Sequence, residues 1–299
     1  MRDKKKMYRT ISIVSFLVML ISLIALVGIF LLYRWSDGQY QDLARLARGI
    51  RAELEEIAEQ TEPSPSVTEE PLPESGPVVP VVPVMPEASP EPELAPIPVD
   101  FDYLRELNPD IIAWILVDGT DIDYPVLYDS TRERFYLSHN YAGAYTMYGS
   151  IFMLSECRRD FANFNSVVYG HNMLDGRMFA QLHRFEKQEF FDEHDSILIY
   201  TPDRVLEYRI FAAYMTDKLN QIVNFDDATE ETRQAYIDRI FSHEARAIFR
   251  EGVSVTPDDR IVTLSTCIGN PANRYLVQGV LVSEQPGVYV PQTEESNAG

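Results

Sequence analysis

Apolar and polar positions are patterned most clearly in the last third of the chain, where β-branched residues run in short blocks between turn residues. Residues 261–266 predict one buried strand and residues 273–282 predict another, with a Gly-Asn-Pro turn between them. A cysteine, Cys267, therefore follows the first strand, and an arginine, Arg274, lies at the start of the second. Because facing residues of a hairpin are close neighbours, we expect Arg274 to lie beside Cys267.

Apolar blocks of the same kind predict a mostly β domain over residues 99–290. Further strands are predicted at residues 111–117, 122–127, 149–154, 166–170, 197–200 and 205–214. Helices are predicted at residues 101–107, 176–185 and 226–249, with Thr229 as the candidate N-cap of the last one. Many strands with few crossover helices indicate an α+β, barrel-like domain with peripheral helices.

The N-terminal apolar run has the length of a membrane span. Residues 1–10 form a basic tail, and residues 11–32 are 22 residues without a charge. A helix of that length covers about 33 Å, which is enough for a bilayer core. We therefore expect one uncleaved transmembrane anchor, with its N-terminus in the cytoplasm and the following chain outside the cell. A cleaved signal peptide is the alternative interpretation.

Two polar segments are predicted between the anchor and the barrel-like domain. Residues 33–60 carry apolar side chains at helical spacing among charges, which predicts a polar stalk helix or, alternatively, a short coiled-coil seam. Residues 61–98 contain 12 of the 19 prolines, seven Glu and no Lys or Arg. That composition predicts a disordered linker that holds the domain away from the membrane. Residues 291–299 are expected to be a flexible tail.

Charge and cysteine content exclude several kinds of ligand. The chain carries a net charge of −20, and residues 99–299 hold 17 Lys and Arg against 32 Asp and Glu. Nucleic acid is therefore not an expected partner, because phosphate binding needs a basic surface. His and Cys residues are too few and too scattered for zinc-ligand spacing, so we expect no metal and no cofactor. Cys157 is expected to be a free or buried thiol, with a Cys157–Cys267 disulfide as the alternative.

Side chains at the predicted strand ends indicate acyl-transfer chemistry. A thiol beside a permanent cation favours the thiolate, the form that attacks carbonyl carbon, and Cys267 beside Arg274 fits this description. Alternation along the strand places Ser265 on the same side as Cys267. Of the five histidines, His171 is the best candidate to protonate a leaving amine, because it also follows an apolar strand. The other four are expected on the solvated surface: His139, His183, His194 and His243.

Each of these residues also has an ordinary structural interpretation. A cysteine at a strand end is commonly a packed small side chain. His171 equally fits a hydrogen-bonded structural histidine, and Arg274 equally fits a surface cation beside a strand. The Leu-Ser-Thr-Cys context and the nearby Arg favour the reactive interpretation of Cys267.

The motifs around these residues resemble those of the sortases. The resemblance rests on Tyr-Gly-His-Asn-Met at residues 169–173, Thr-Leu-Ser-Thr-Cys at residues 263–267, and an Arg seven residues after that Cys. Other stretches resemble class B sortases: Ile-Asp-Tyr-Pro-Val at residues 122–126, Gly-Ser-Ile-Phe at residues 149–152, and predicted helices between residues 226 and 250. The similarity runs from about residue 101 to residue 282.

The resemblance implies a closed β-barrel that acts as a cysteine transpeptidase. It implies Cys267 as nucleophile, His171 as proton donor and acceptor, and Arg274 as hydrogen-bond donor to the substrate or the developing oxyanion. It also implies that Ser265 and Leu137 line the substrate groove. The donor substrate would be a surface protein with a C-terminal sorting signal of the Asn-Pro-x-Thr type, cut after Thr. The acceptor would be an amine of a peptidoglycan precursor or a pilin lysine.

Two other function classes remain open at the level of the sequence. An extracellular cysteine peptidase would use the same Cys267 and His171, but an added amine would give no ligated product. In a catalytically idle surface-binding module, Cys267 would resist alkylation, or its alkylation would change nothing. The Cys, His and Arg set disfavours the idle module, and the resemblance to sortases disfavours the plain peptidase.

Overall fold

A computed structural model describes residues 13–28, 31, 38–48, 94–217, 227–242, 247–268 and 270–291. The chain divides into two compact units, residues 1–46 and residues 47–299. Residues 13–28 and 38–48 are helical. Within the described ranges, no helix combines the length and the apolar composition that crossing a bilayer requires. The predicted anchor and stalk lie partly outside these ranges, and residues 51–93 of the stalk and linker lie wholly outside them.

The second unit is built mainly from strands. Its described strands are β1 (Ala95–Ile97), β2 (Ile111–Val117), β3 (Asp123–Tyr128), β4 (Ile151–Met153), β5 (Asn165–Tyr169), β6 (Ser196–Tyr200), β7 (Arg204–Thr216), β8 (Ile248–Phe249), β9 (Ile261–Ile268) and β10 (Asn270–Tyr289). Its described helices are α1 (Phe101–Leu107), α2 (Gln188–Glu193) and α3 (Glu230–Phe241). Two segments are 3₁₀ helices, Phe135–Leu137 and Ala180–Glu186.

Eight of these strands close into a barrel. The hydrogen-bonded order runs β10-β9-β5-β4-β3-β2-β6-β7, and β7 pairs with β10 again. Strands β1 and β8 add to the outside of this closed set by pairing with β10 and β7. Closure leaves the barrel strands without a free edge, which stabilises a sheet of this size. The predicted barrel with peripheral helices is confirmed.

Helix α3 covers one face of the barrel because its sequence places apolar residues on one side. Thr229 caps the helix: its hydroxyl accepts a hydrogen bond from the Thr232 amide, 3.2 Å away, as predicted. Tyr236, Ile237 and Ile240 lie on one helical face and are buried. They pack against barrel residues that share an apolar character: Phe164, Phe211, Tyr214, Ile261, Leu276 and Val280.

A buried polar network lies between α3 and the barrel. The Thr263 hydroxyl donates to Asn165 Oδ1 at 2.7 Å, and Asn165 Nδ2 donates to the Tyr236 hydroxyl at 2.8 Å. Gln278 Nε2 donates to Thr263 Oγ1 and to Tyr236 Oη, while its Oε1 accepts from the Tyr214 hydroxyl at 2.9 Å. Because all five side chains are buried and bonded, the network fixes the helix on the sheet without leaving these polar groups unpaired.

Three predicted elements are corrected by the structure. The helix predicted at 226–249 ends at Phe241, and residues 248–249 instead form β8, because Ile and Phe there pair with Ala212 and Ala213 of β7. The helix predicted at 176–185 is a 3₁₀ helix that starts at Ala180. Gly176 and Met178 take positive φ angles of 85° and 54°, which a continuous helix does not allow.

The third correction concerns the predicted linker. Residues 95–97, placed in the disordered segment on composition, form strand β1 parallel to residues 287–289 of β10. Strand β10 itself extends to Tyr289, well beyond the predicted end at residue 282. A short segment rich in proline is thus ordered because a neighbouring strand offers it main-chain partners.

Candidate active site

The candidate site is formed where β5 and β9 end side by side. These strands are parallel, with Tyr169 opposite Ser265. Beyond that pair, the Gly170 amide donates to the Ser265 carbonyl at 3.2 Å, and the Thr266 hydroxyl donates to the Gly170 carbonyl at 2.9 Å. Because parallel strands advance together, the next residues, His171 and Cys267, emerge at the same level of the barrel end.

Arg274 lies directly across the hairpin from Cys267. The two residues are register partners in the antiparallel pair of β9 and β10, as predicted from the sequence pattern. Arg274 is also paired on its other side with Thr216 of β7, so its backbone lies between two strands. Cys267 and Arg274 are both half-buried. A thiol and a guanidinium therefore share the rim of the barrel on adjacent strands.

The imidazole of His171 is oriented by a main-chain carbonyl. His171 Nε2 lies 2.7 Å from the carbonyl oxygen of Leu137. A carbonyl can only accept, so Nε2 carries the proton in this contact and Nδ1 is the nitrogen left for another partner. Leu137 lies at the end of the first 3₁₀ helix, and its side chain is 42% exposed next to this contact.

A ladder of stacked side chains holds the segment that carries Leu137. The Arg132 guanidinium lies 3.7 Å above the Phe135 ring, and that ring stacks on His139 at 3.9 Å. His139 Nδ1 also contacts the Phe135 carbonyl at 2.8 Å. These contacts fix the backbone that supplies the acceptor for His171.

Ser265 occupies a different environment from the one predicted. It lies on the same side of β9 as Cys267, but its side chain is fully buried. Its hydroxyl has no hydrogen-bond partner among the described residues. Contact between Ser265 and a substrate stays a prediction; in the structure Leu137 is exposed and Ser265 is buried.

Two residues near the nucleophile candidate were missed by the sequence reasoning. Asn172 Nδ2 donates to the Cys267 carbonyl at 2.9 Å, and His183 Nε2 lies 3.2 Å from the same oxygen. His183 was expected on the solvated surface, but its ring stacks on Tyr275 with centroids 5.0 Å apart. Asn172 was detectable as the neighbour of His171, whereas nothing in the pattern linked His183 to Cys267.

The remaining histidines and the second cysteine lie elsewhere. His194 bonds Asp118 and packs on Phe190, so it is less solvated than expected, and His243 lies outside the described residues. Cys157 and Cys267 are both free thiols, and burial raises the pKa of the Cys157 thiol. In the described parts of the chain, no group of three His, Cys, Asp or Glu side chains is arranged to hold a metal ion.

Comparison with known proteins decides the family. The family model described as a sortase domain matches residues 115–282. The chain belongs to the sortase family. Sortase B of Listeria monocytogenes is 32% identical over 184 residues, which is 60% of this chain and 73% of that protein. Sortase B of Staphylococcus aureus is 32% identical over 167 residues, which is 56% of this chain and 67% of that protein.

Solved structures assign the sortase to class B. Sortase B of Clostridium perfringens has a TM-score of 0.56 and 31% identity, covering 61% of this chain and 99% of that one. A Staphylococcus aureus sortase B-substrate complex has a TM-score of 0.56 and 29% identity, covering 62% of this chain and 85% of that one. The sortase is therefore a class B enzyme, and members of this family are cysteine transpeptidases.

Proposed function

We propose that this sortase cleaves the sorting signal of a surface protein through an acyl-enzyme on Cys267 and transfers the acyl group to an amine. The observation that carries the proposal is the register of three adjacent strands. Cys267 faces Arg274 across the hairpin, and the parallel end of β5 places His171 at the same level. Thiol, guanidinium and imidazole at one barrel rim can supply the nucleophile, the oxyanion donor and the proton donor of an acyl transfer.

The chemistry follows from the properties of each group. The Cys267 thiolate attacks the carbonyl carbon of the scissile peptide bond, and the oxyanion that forms accepts hydrogen bonds from Arg274. The tetrahedral intermediate collapses to a thioester as His171 protonates the departing amine. An incoming amine then attacks the thioester carbonyl and gives its proton to His171. Cys267 leaves as thiolate, and the product is a new amide.

The proposed donor is a sorting signal of the Asn-Pro-x-Thr type, cut after Thr. Its support is the similarity to class B sortases, one of which is solved as a substrate complex. The exposed Leu137 side chain next to His171 offers an apolar surface to such a peptide, and Ser265 is a second groove candidate if its side chain becomes accessible. The proposed acceptor is an amine of a peptidoglycan precursor or a pilin lysine.

We also propose that the enzyme is a single-pass membrane protein with its catalytic unit outside the cell. The support is the uncharged run of 22 residues at 11–32 that follows the basic residues 1–10. The linker at 61–98, rich in Pro and Glu, would then give the catalytic unit reach toward the cell wall. Protease protection of the N-terminus in intact cells, with digestion of the C-terminal unit, is the result expected of this orientation.

Mass spectrometry of the full chain in detergent tests the reaction. The chain is mixed with a set of Asn-Pro-x-Thr peptides that differ at x, with and without triglycine as amine. We expect an acyl adduct on Cys267 and, with triglycine, a ligated peptide; Cys267→Ala should give neither. Adduct followed only by hydrolysis would identify a cysteine peptidase, and no adduct with any peptide would favour the binding module.

A further inference from the structure

Asn172 and His183 form a hydrogen-bonded bridge between the His171 segment and Cys267. Asn172 Nδ2 lies 2.9 Å from the Cys267 carbonyl oxygen and 3.1 Å from His183 Nε2. On the other side of the ring, His183 Nδ1 lies 2.6 Å from the Glu186 carboxylate. The bridge therefore runs from Glu186 through His183 and Asn172 to the main chain of the nucleophile candidate.

Local structure explains why these distant residues meet. The chain turns back after His171. Asn172 forms an isolated antiparallel β-bridge with Met178, and the Phe179 amide donates to the His171 carbonyl at 3.0 Å. The second 3₁₀ helix starts immediately afterwards and presents His183 to the end of β9. Stacking on the buried Tyr275 ring keeps the His183 ring in place.

The contacts of His183 with Glu186 and Asn172 fit the tautomer that carries a proton on Nδ1. A carboxylate can only accept, so Glu186 takes a hydrogen from Nδ1 and leaves Nε2 with its lone pair. An amide nitrogen has two hydrogens. Asn172 can therefore donate one to the Cys267 carbonyl and the other to His183 Nε2, with no donor facing another donor. With its proton on Nδ1, the imidazole satisfies Glu186 and Asn172, while its Nε2 also lies 3.2 Å from the Cys267 carbonyl oxygen without donating to it.

We propose that His183 is a positioning residue of this sortase. Acting through Asn172, it holds the backbone that carries His171 against the strand end that carries Cys267. The imidazole of His171 and the sulfur of Cys267 then keep a fixed separation during acylation. Neither His183 nor Asn172 exchanges a proton with substrate in this role. The inference rests on the proposed acylation of Cys267.

Kinetics of matched variants of the full chain test the proposal. His183→Phe keeps a ring to stack on Tyr275 but removes the acceptor for Asn172, and Asn172→Ala removes the link itself. We expect each to lower kcat about fivefold to tenfold toward an Asn-Pro-x-Thr peptide that the wild type turns over, with KM within about twofold. The double variant should be no slower than Asn172→Ala alone, since both changes break one bridge. His183→Gln, which restores an acceptor, should recover most of the rate.

A substrate-free readout separates this proposal from the proposed function. Iodoacetamide alkylates Cys267 as the thiolate, so the alkylation rate depends on which side chains lie beside the sulfur. We expect the alkylation rate at pH 7 to fall about threefold in His183→Phe and Asn172→Ala. If the wild type turned over no peptide, the proposed function would be contradicted. The alkylation rates of the variants would still test the positioning role of His183.

His194→Phe is the matched control. Like His183, His194 bonds a carboxylate, that of Asp118, and packs on an aromatic ring. Its side chain is 26% exposed, against 24% for His183. Unlike His183, it is not among the described contacts of Cys267. Its rates should equal those of the wild type. Three results would each overturn the proposal. The first is an equal loss of rate in His183→Phe and His194→Phe, and the second is an additive loss in the double variant. The third is an unchanged rate in His183→Phe at normal thermal stability.

Discussion

The two ends of strand β9 differ in how their polar side chains are satisfied. At the first end, the Thr263 hydroxyl bonds both Asn165 and Gln278 in the buried network under α3. Two residues later on the same face, the Ser265 hydroxyl is equally buried but has no described partner. Two residues further, Cys267 lies half-buried at the rim. Within four residues, one strand therefore passes from a fully bonded buried hydroxyl to a half-buried thiol.

The difference indicates where the barrel serves stability and where it serves chemistry. A fully bonded buried network specifies one packing, since any missing partner leaves a polar group that has lost its water. The Cys267 end instead leaves Cys267, Arg274 and His171 partly exposed at the rim of the barrel. Substitutions at the first end should therefore change the free energy of unfolding, and substitutions at the second should change the rate.

Arg274→Lys should produce the largest change, and it should be in rate alone. Lysine keeps the positive charge but loses the planar fork that can donate two hydrogen bonds to an oxyanion. We expect kcat/KM toward a cleaved Asn-Pro-x-Thr peptide to fall about 100-fold. The melting temperature should stay close to that of the wild type. Wild-type turnover in this variant would contradict the proposed role of Arg274.

Gln278→Leu should give the reverse result at the bonded end of the sheet. It removes three hydrogen bonds and leaves the buried Tyr214 hydroxyl without its acceptor. We expect the free energy of unfolding to fall by roughly 2–4 kcal/mol, measured by urea denaturation, with kcat per folded enzyme within about twofold. Gln285→Leu, on the exposed part of β10, is the control and should cost under about 0.5 kcal/mol.

The hairpin that carries Cys267 and Arg274 could be predicted from sequence because its signal is local. Two apolar blocks and one turn define an antiparallel pair, and the register follows from the length of the turn. The parallel neighbour β5 was identified as a strand, but no local pattern indicates that it pairs with β9, almost 100 residues away. His171 was linked to Cys267 because both residues follow apolar strands and because their motifs resemble those of sortases, not because any pattern indicated that the two strands pair.

His183 and β1 were missed for reasons that the structure makes clear. His183 reaches Cys267 only because the segment after His171 turns back at Gly176, which has a left-handed backbone conformation. The sequence alone does not show in which direction the chain turns at this glycine. Strand β1 lies in a proline-rich segment, where composition argues for disorder, and its order comes from distant residues of β10. In both cases tertiary contacts decide what local sequence leaves open.

Ser265→Ala tests whether the Ser265 hydroxyl, which has no described hydrogen-bond partner, affects only the stability of the fold or also contacts substrate. Removing a buried hydroxyl without a described partner should raise the free energy of unfolding by about 1 kcal/mol. Ser166→Ala on β5 is a matched control, because that hydroxyl is also fully buried and without a partner among the described residues. If Ser265 contacts substrate, only Ser265→Ala should raise KM. Equal KM values in the two variants would remove Ser265 from the substrate groove.

The substitution Cys157→Ala should have the smallest effect, on the pH dependence of the free energy of unfolding. Burial raises the pKa of Cys157 above its ordinary value of 9.0, so the unfolded chain loses this proton at lower pH than the folded chain. Above about pH 9, the unfolded state therefore binds fewer protons at this site and is favoured. The free energy of unfolding should decline more steeply from about pH 8.5 to pH 9.5 in the wild type than in Cys157→Ala. Cys267→Ala should keep the steeper decline, because its remaining thiol is the buried one; a slope equal to that of Cys157→Ala would contradict the burial of Cys157.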